Sequence, residues 1–246
     1  MSRKPSGPSK PSKSGGSMPG GRRAAVRVKT AHKRSASSTR WLERQLNDPY
    51  VAEAKKRGFR SRAAFKLLQL DDKYHFLAPA KRVVDLGAAP GGWTQIAVDR
   101  TKTLEGKGKV VGLDILEMDP VPGATTFQQD FLEPGAPERL KAELGGAADI
   151  VLSDMAAPTT GHHQTDHMRI MALAEAAYDF AEDVLASGGV FICKLFQGGA
   201  EKSLLERLKQ DFTQVRHAKP PASRADSSET YLVATGFRGR QIAPKE

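Results

Sequence analysis

Val83-Val84-Asp85-Leu86-Gly87-Ala88-Ala89-Pro90-Gly91-Gly92-Trp93 is a short β-branched run that enters a glycine-rich turn and then a helix. Gly87 permits a tight turn. Gly91 and Gly92 let a ligand approach the backbone at a helix N-terminus. The spacing Gly87-x-x-x-x-Gly92 is that of a dinucleotide fingerprint with Ala89 in place of its middle glycine. No Lys-Ser/Thr pair follows, which excludes a nucleotide-triphosphate P-loop. Pro90 is expected to pre-set the first helical turn.

Outward from this stretch, strand and helix patterns alternate. Strands are expected at 82–86, 109–114, 124–128, 148–153, 189–195, 212–217 and 230–236. Helices are expected at 91–101, 135–144, 168–186 and 201–210. The clearest helix carries Ile170, Leu173, Ala174, Ala177, Tyr178, Ala181 and Leu185 at helical spacing, with Ser187-Gly188-Gly189 as its stop. Upstream, Trp41 opens a helix, Asp48-Pro49 marks a break, and Ser61 is a candidate cap for a helix through Leu70. Such alternation predicts an α/β fold with a mostly parallel seven-stranded sheet and helices on both faces. The stretch from His217 to Glu229 holds Pro220-Pro221 and several serines, so the last two strands join through a loop and the last strand runs antiparallel.

Strand ends in an open α/β sheet converge on the ligand crevice. Here they carry charge. Asp114 follows the second strand, where a ribose hydroxyl pair is gripped in such folds, and Asp130 follows the third, within reach of an adenine edge. Taken singly, each aspartate also reads as a cap or turn residue. Asp154, Lys194 and Glu229 end or precede three further apolar runs. Lysine is rare inside proteins unless paired, and a partly desolvated lysine is a candidate general base. A snorkelling lysine with ordinary salt bridges is the plainer reading of Lys194 alone.

Composition bounds the function class. The 246 residues hold 38 Lys+Arg and 28 Asp+Glu, a formal charge of +10. Residues 1–40 contain eleven Lys/Arg and no acid, which leaves 27 basic against 28 acidic residues for 41–246, a balance of −1. The excess charge therefore sits in a Ser/Pro/Gly-rich tail with almost nothing to bury, which predicts a disordered segment facing a polyanion. The single cysteine, Cys193, excludes an intrachain disulfide and fits a reducing compartment. No apolar run approaches the roughly 18 residues of a membrane span. The start is Arg- and Ser-rich like a transit peptide, but its Pro and Gly oppose an amphipathic helix, so a cytoplasmic location is expected. His163 and His167 stand four apart, but no cysteine lies near them, and with His162 they read as solvated loop residues.

Five segments together carry a resemblance. They are Arg60–Leu67, Asp85–Trp93, Ser153-Asp154-Met155-Ala156-Ala157-Pro158, Cys193-Lys194-Leu195-Phe196-Gln197-Gly198 and Ser223–Tyr231. In order and spacing, the chain from about Leu42 to Arg238 resembles the FtsJ-type ribosomal RNA large-subunit ribose 2′-O-methyltransferases. The resemblance implies a Rossmann-like S-adenosylmethionine-dependent methyltransferase fold and methylation of a uridine ribose in 23S (large-subunit) ribosomal RNA. It places the family's catalytic tetrad on Lys66, Asp154, Lys194 and Glu229, with Lys194 as the base. It places the S-adenosylmethionine contacts on Gly91, Trp93, Asp114, Asp130 and Asp154, with no metal. The expected partner is large-subunit ribosomal RNA within a ribosomal subunit, with the chain acting as a monomer away from any membrane. Ala157 is an extra residue before the proline of its segment. The domain plan that follows is a basic tail over 1–40 and a methyltransferase domain over 41–246, with N-terminal helices in 41–80 and the core in 81–238.

Two rival readings remain. A nicotinamide-dependent oxidoreductase shares the fold class, but Ala89 and Pro90 depart from its fingerprint. A non-catalytic RNA-binding module would use the tail, but has no need of four charged residues at strand ends. If the tail contacts phosphates, deleting residues 1–40 raises the dissociation constant for ribosomal RNA and flattens its salt dependence, by roughly 0.7 in log–log slope per lost phosphate contact on single strands. Filter binding across a salt series checks this; unchanged affinity and slope would reduce the tail to a solvated extension.

Overall fold

The computed structural model describes residues 35–197 and 201–239. Residues 1–34 of the tail expected over 1–40 lie outside them, as do Gly198 of the fourth segment and the last residues of the chain. Two units separate between Asn47 and Asp48. The first contributes α1 (Ala36–Asn47), which starts ahead of the expected Trp41. A truncation ending at Arg34 leaves that helix whole and still removes ten of the eleven basic residues.

In the second unit, α2 (Pro49–Arg57) begins as Asp48-Pro49 dictates. Asp48 accepts from the Tyr50 N–H at 3.0 Å, Pro49 takes the first turn, and Gly58 closes the helix in the left-handed conformation. Helix α3 (Ala64–Tyr74) starts without a side-chain cap. The expected cap, Ser61, is not used. Its hydroxyl is buried without a partner and faces Gly92, where an added Cβ would come within 2.5 Å of it.

The sheet comprises β1 (Arg82–Leu86), β2 (Lys109–Asp114), β3 (Thr125–Gln128), β4 (Ala148–Ser153), β5 (Leu185–Phe196), β6 (Phe212–Ala218) and β7 (Glu229–Phe237), in the order β3-β2-β1-β4-β5-β7-β6. All pairings are parallel except those of β7, which runs antiparallel to both neighbours. The helices between them are α4 (Gly92–Thr101), α5 (Ala136–Leu144), α6 (His163–Val184) and α7 (Lys202–Asp211). Pro90 sits before α4 in a cis peptide and does not enter its first turn. The expected stop of α6 at Ser187-Gly188-Gly189 is part of β5 instead. The helix ends at Val184 and the strand takes up Leu185 at once.

Period-two alternation sends successive residues to opposite faces. Val84, Leu86, Val111, Val151, Phe191 and Cys193 pack under the α5, α6 and α7 residues. Val83, Val110, Ile150, Leu152, Ile192, Tyr231 and Val233 pack under α3 and α4. The same parity puts Asp85, Asp154 and Lys194 on the α3/α4 side. Each fully buried large apolar side chain contributes roughly 1.5–3 kcal/mol, so this two-faced core fixes the strand register and, with it, what stands at the strand ends.

Asp85 belongs to that buried row and is fully enclosed. Thr94 of α4 donates to one carboxyl oxygen at 2.7 Å, and the other oxygen has no partner. Burial pushes its pKa up to about 7; the Thr94 hydrogen bond opposes this, and the Asp154 and Asp114 charges add to it. The folded value lies above the unfolded one, so the folded state keeps the proton to higher pH. The stability this gives is present below the unfolded value near 3.9 and is lost as pH rises through about 7. Asp85→Asn keeps an oxygen for Thr94 and cannot ionise. Its stability relative to the wild type should rise by about 2–3 kcal/mol between pH 5 and pH 8 and level off above that. Denaturant melts without added cofactor check this; a constant difference across the range would contradict it.

Candidate active site

Strand β4 returns beside β1 after β2 and β3 have gone the other way, so the crevice at the carboxyl ends of β1 and β4 is the switch point of the sheet. The backbone stitches it. Gly87 and Ala88 donate their N–H groups to the Leu113 carbonyl, both at 3.0 Å, and the Asp154 N–H donates to Leu86 O at 3.1 Å. Gly87 and Gly91 both have positive φ, at 79° and 105°. Their missing side chains make room for the protein itself. A Cβ on Gly87 would meet the Met155 backbone at 2.8 Å, and one on Gly91 would meet Arg60 and Val121 at 2.9 Å.

The segment from Gly58 to Ala63 is docked on this loop. The Gln95 side chain accepts from the Arg60 N–H at 2.8 Å and donates to Gly58 O at 3.1 Å. The Arg60 guanidinium donates to the carbonyls of Pro90 at 3.3 Å, of Pro120 at 2.6 Å and of Asp119. Trp93 is buried, its indole N–H donates to Ala63 O at 2.9 Å, and its ring centroid lies 5.6 Å from that of Tyr231. Its side chain is therefore core and anchor, while its backbone lies in the first turn of α4.

This docking delivers Lys66, on α3, to the strand ends. Lys66 Nζ pairs with Glu229 Oε2 at 2.7 Å. Lys194 Nζ pairs with Asp154 Oδ1 at 3.1 Å and donates to the Asp154 carbonyl at 2.5 Å. Tyr231 joins the pairs. Its hydroxyl donates to Asp154 Oδ1 at 2.9 Å, and Lys66 Nζ stands 5.8 Å from its ring centroid. The four expected tetrad residues thus form one neutral cluster, and its side chains are at most 16% exposed. Burial pushes the Asp154 carboxyl up, but Lys194, then Lys66, and the hydrogen bonds from Lys194 and Tyr231 outweigh it and hold the group below the usual carboxylate range. Tyr231 moves well above the usual phenol value, through burial first and then the Asp154 and Glu229 charges, so it remains a donor.

Antiparallel β7 is what makes this possible. Its N-terminus lies at the same edge as the carboxyl end of β5, with Tyr231 opposite Lys194 and Glu229 opposite Phe196. Tyr231 was missed as a site residue. Its signal was available, since it lies two residues after Glu229 and so on the same strand face.

Asp114 accepts from the N–H groups of Ala89 and Leu116, each at 2.9 Å, and so ties the glycine loop to the end of β2. Asp130 accepts from Leu132 N–H at 2.9 Å, a turn contact. His162 stands just before α6 without a side-chain capping bond and His163 begins the helix, which therefore starts earlier than expected. His167 is buried, with both ring nitrogens unpartnered. Among the described residues, no group of three or more His, Cys, Asp or Glu could hold a metal ion, and no helix is long and apolar enough to cross a membrane.

A doubly wound sheet with a glycine loop after β1 and carboxylates after β2, β3 and β4 defines a Rossmann-like cofactor-binding domain with an ionic cluster at its mouth. Residues 59–237 match the FtsJ-like methyltransferase family, and the chain belongs to it. It is 66% identical over 222 residues to the ribosomal RNA large subunit methyltransferase E of Paramagnetospirillum magneticum, covering 89% of this chain and 91% of that one. Against the protein of the same name from Parvibaculum lavamentivorans the identity is 63% over 240 residues, with 94% of each chain covered. Among solved structures, a ribosomal RNA methyltransferase from Plasmodium falciparum superposes with a TM-score of 0.66 at 35% identity, over 74% of this chain and all of that one.

The methyl donor of the family is S-adenosylmethionine. The residues present fit it. It is a cation with a carboxylate and a ribose diol, and the crevice offers carboxylates at Asp114 and Asp154 beside the N–H groups that open α4. Asp114→Ala should weaken S-adenosylmethionine binding roughly 10- to 100-fold, the size of a hydrogen bond to a charged group. It should slow saturated turnover less, because a contact made equally in ground and transition states affects KM more than kcat. Equilibrium dialysis beside steady-state kinetics checks this; an unchanged dissociation constant would remove Asp114 from the site.

Proposed function

We propose that the chain methylates the 2′-oxygen of a uridine ribose in 23S ribosomal RNA of the large subunit, with Lys194 as the general base. The observation that carries the reading is the grip on Lys194, whose ammonium is held by both the carboxylate and the backbone carbonyl of Asp154 at the mouth of the cofactor crevice. The names of the relatives support the substrate.

S-adenosylmethionine, when bound, supplies an electrophilic methyl group on a sulfonium that leaves as a neutral thioether. The work left to the protein is therefore positioning and removal of one proton. Lys194 first gives its ammonium proton up to solvent and then, as the free amine, receives the proton of the attacking hydroxyl. Asp154 aims Lys194 through two contacts and stays ionised, so the charge gained on the amine is matched where it forms. Lys66 and Glu229 hold the acceptor ribose, Lys66 as a donor and Glu229 as an acceptor. Tyr231 keeps the two pairs in register. Gly91, Trp93, Asp114, Asp130 and Asp154 hold the cofactor, Trp93 through its place in the first turn of α4. The 2′-hydroxyl is also the group that separates RNA from DNA.

Lys194→Ala should lower the single-turnover rate on ribosomal RNA about 10²- to 10⁴-fold, the usual worth of a general base, with S-adenosylmethionine binding within a few-fold of the wild type. Lys194→Arg should fail as well, because a guanidinium keeps its proton. Rapid-quench assays with labelled cofactor check both. A near-normal rate in either variant would remove Lys194 as the base.

A further inference from the structure

The loop between β6 and β7 is held at one residue from both sides. Ala222 is fully buried. Its N–H donates to Gln69 Oε1 at 2.7 Å, and its carbonyl accepts from Arg62. Gln69 lies on α3, the helix of Lys66, and Arg62 lies just before that helix. Each clamp residue is braced in turn: Gln69 Nε2 donates to the Tyr50 hydroxyl at 3.1 Å, and Arg62 pairs with Asp48 at 2.9 Å.

The next residue is Ser223. Its N–H donates to Pro220 O at 2.8 Å, and its hydroxyl donates to Glu229 Oε1 at 2.8 Å. The other Glu229 oxygen holds Lys66. The result is a closed circuit from α3 through Ala222, Ser223 and Glu229 back to Lys66 on α3. A carboxylate bound by one partner swings freely about its terminal torsion, which is broad and two-fold. Lysine, with a flexible stem and three donors, adds no direction of its own. A second donor on the carboxylate fixes the plane of both.

We propose that Ser223, set in place by the Gln69–Arg62 clamp on Ala222, is the positioning residue that orients Glu229 and thereby Lys66 toward the acceptor ribose. The proposal rests on the reading of Lys66 and Glu229 as the acceptor-holding pair. It explains why the loop is tied to α3 and not to the adjacent sheet edge alone: the loop and the lysine share one frame.

The test uses the full chain, large-subunit ribosomal RNA and labelled S-adenosylmethionine. Ser223→Ala should lower kcat/KM for RNA about tenfold, the size of one hydrogen bond to a charged group, with the S-adenosylmethionine dissociation constant and the melting temperature nearly unmoved. Ser223→Thr keeps the hydroxyl and should restore the rate. Gln69→Met should lose a similar factor, and Gln69→Glu should restore it, since a carboxylate still accepts from the Ala222 N–H. In a Glu229→Ala background, Ser223→Ala should cost nothing more, because the residue it acts through is gone. Wild-type kinetics for Ser223→Ala beside a crippled Lys66→Ala would overturn the positioning role alone, as would losses that multiply in the double variant. Wild-type kinetics for both Lys66→Ala and Glu229→Ala would overturn the pair reading and this proposal with it.

Discussion

The structure depends on one buried ion pair, Lys194 with Asp154, at the ends of β5 and β4. A charged group taken out of water costs several kcal/mol unless it is matched and hydrogen-bonded, and losing one partner of such a pair leaves the other stranded. Both groups here are satisfied beyond the pair itself. Lys194 also reaches the Asp154 carbonyl, and Asp154 also accepts from Tyr231. The second pair, Lys66 with Glu229, closes the account at zero net charge. A cluster this enclosed holds its shape before any ligand arrives, which is the condition for catalysis by positioning.

Topology supplies the rest. A fully parallel seventh strand would start at the far edge of the sheet and carry Glu229 and Tyr231 away from Lys194. Reversing β7 between β5 and β6 brings its first residues to the mouth. Face parity then sorts the side chains. Asp85, Asp154 and Lys194 continue the row of Val83, Leu152 and Ile192 under α3 and α4, so Lys66 on α3 and the cofactor loop before α4 meet them from the same side.

Much of this was legible in the residues. β-Branched runs ending in charge announced β1, β2, β4 and β5, and the proline-rich loop before Glu229 announced the antiparallel end. What sequence could not give depended on contacts between distant segments. Ser61 has the chemistry of a helix cap, yet its hydroxyl is directed at Gly92 instead. Gly91 and Gly92 suggested room at the backbone, and the space a Cβ would take there is lined by Arg60, Val121, Ser61 and Ala64, which no local pattern announces. Ser187-Gly188-Gly189 has the composition of a helix stop but is absorbed into the start of a long strand, where pairing overrides local propensity. The clamp on Ala222 joins residues more than 150 positions apart, and no local pattern marks it.

On the proposed function, the cluster serves a ribose hydroxyl and not a base. The most direct measurement follows a tritium-labelled methyl group from S-adenosylmethionine into large-subunit ribosomal RNA and then hydrolyses the RNA in alkali. A 2′-O-methyl group removes the hydroxyl that alkali needs for cleavage at that residue. The label should therefore remain in a single alkali-resistant dinucleotide with uridine on its 5′ side. Label released in mononucleotides would place the methyl on a base and contradict the account.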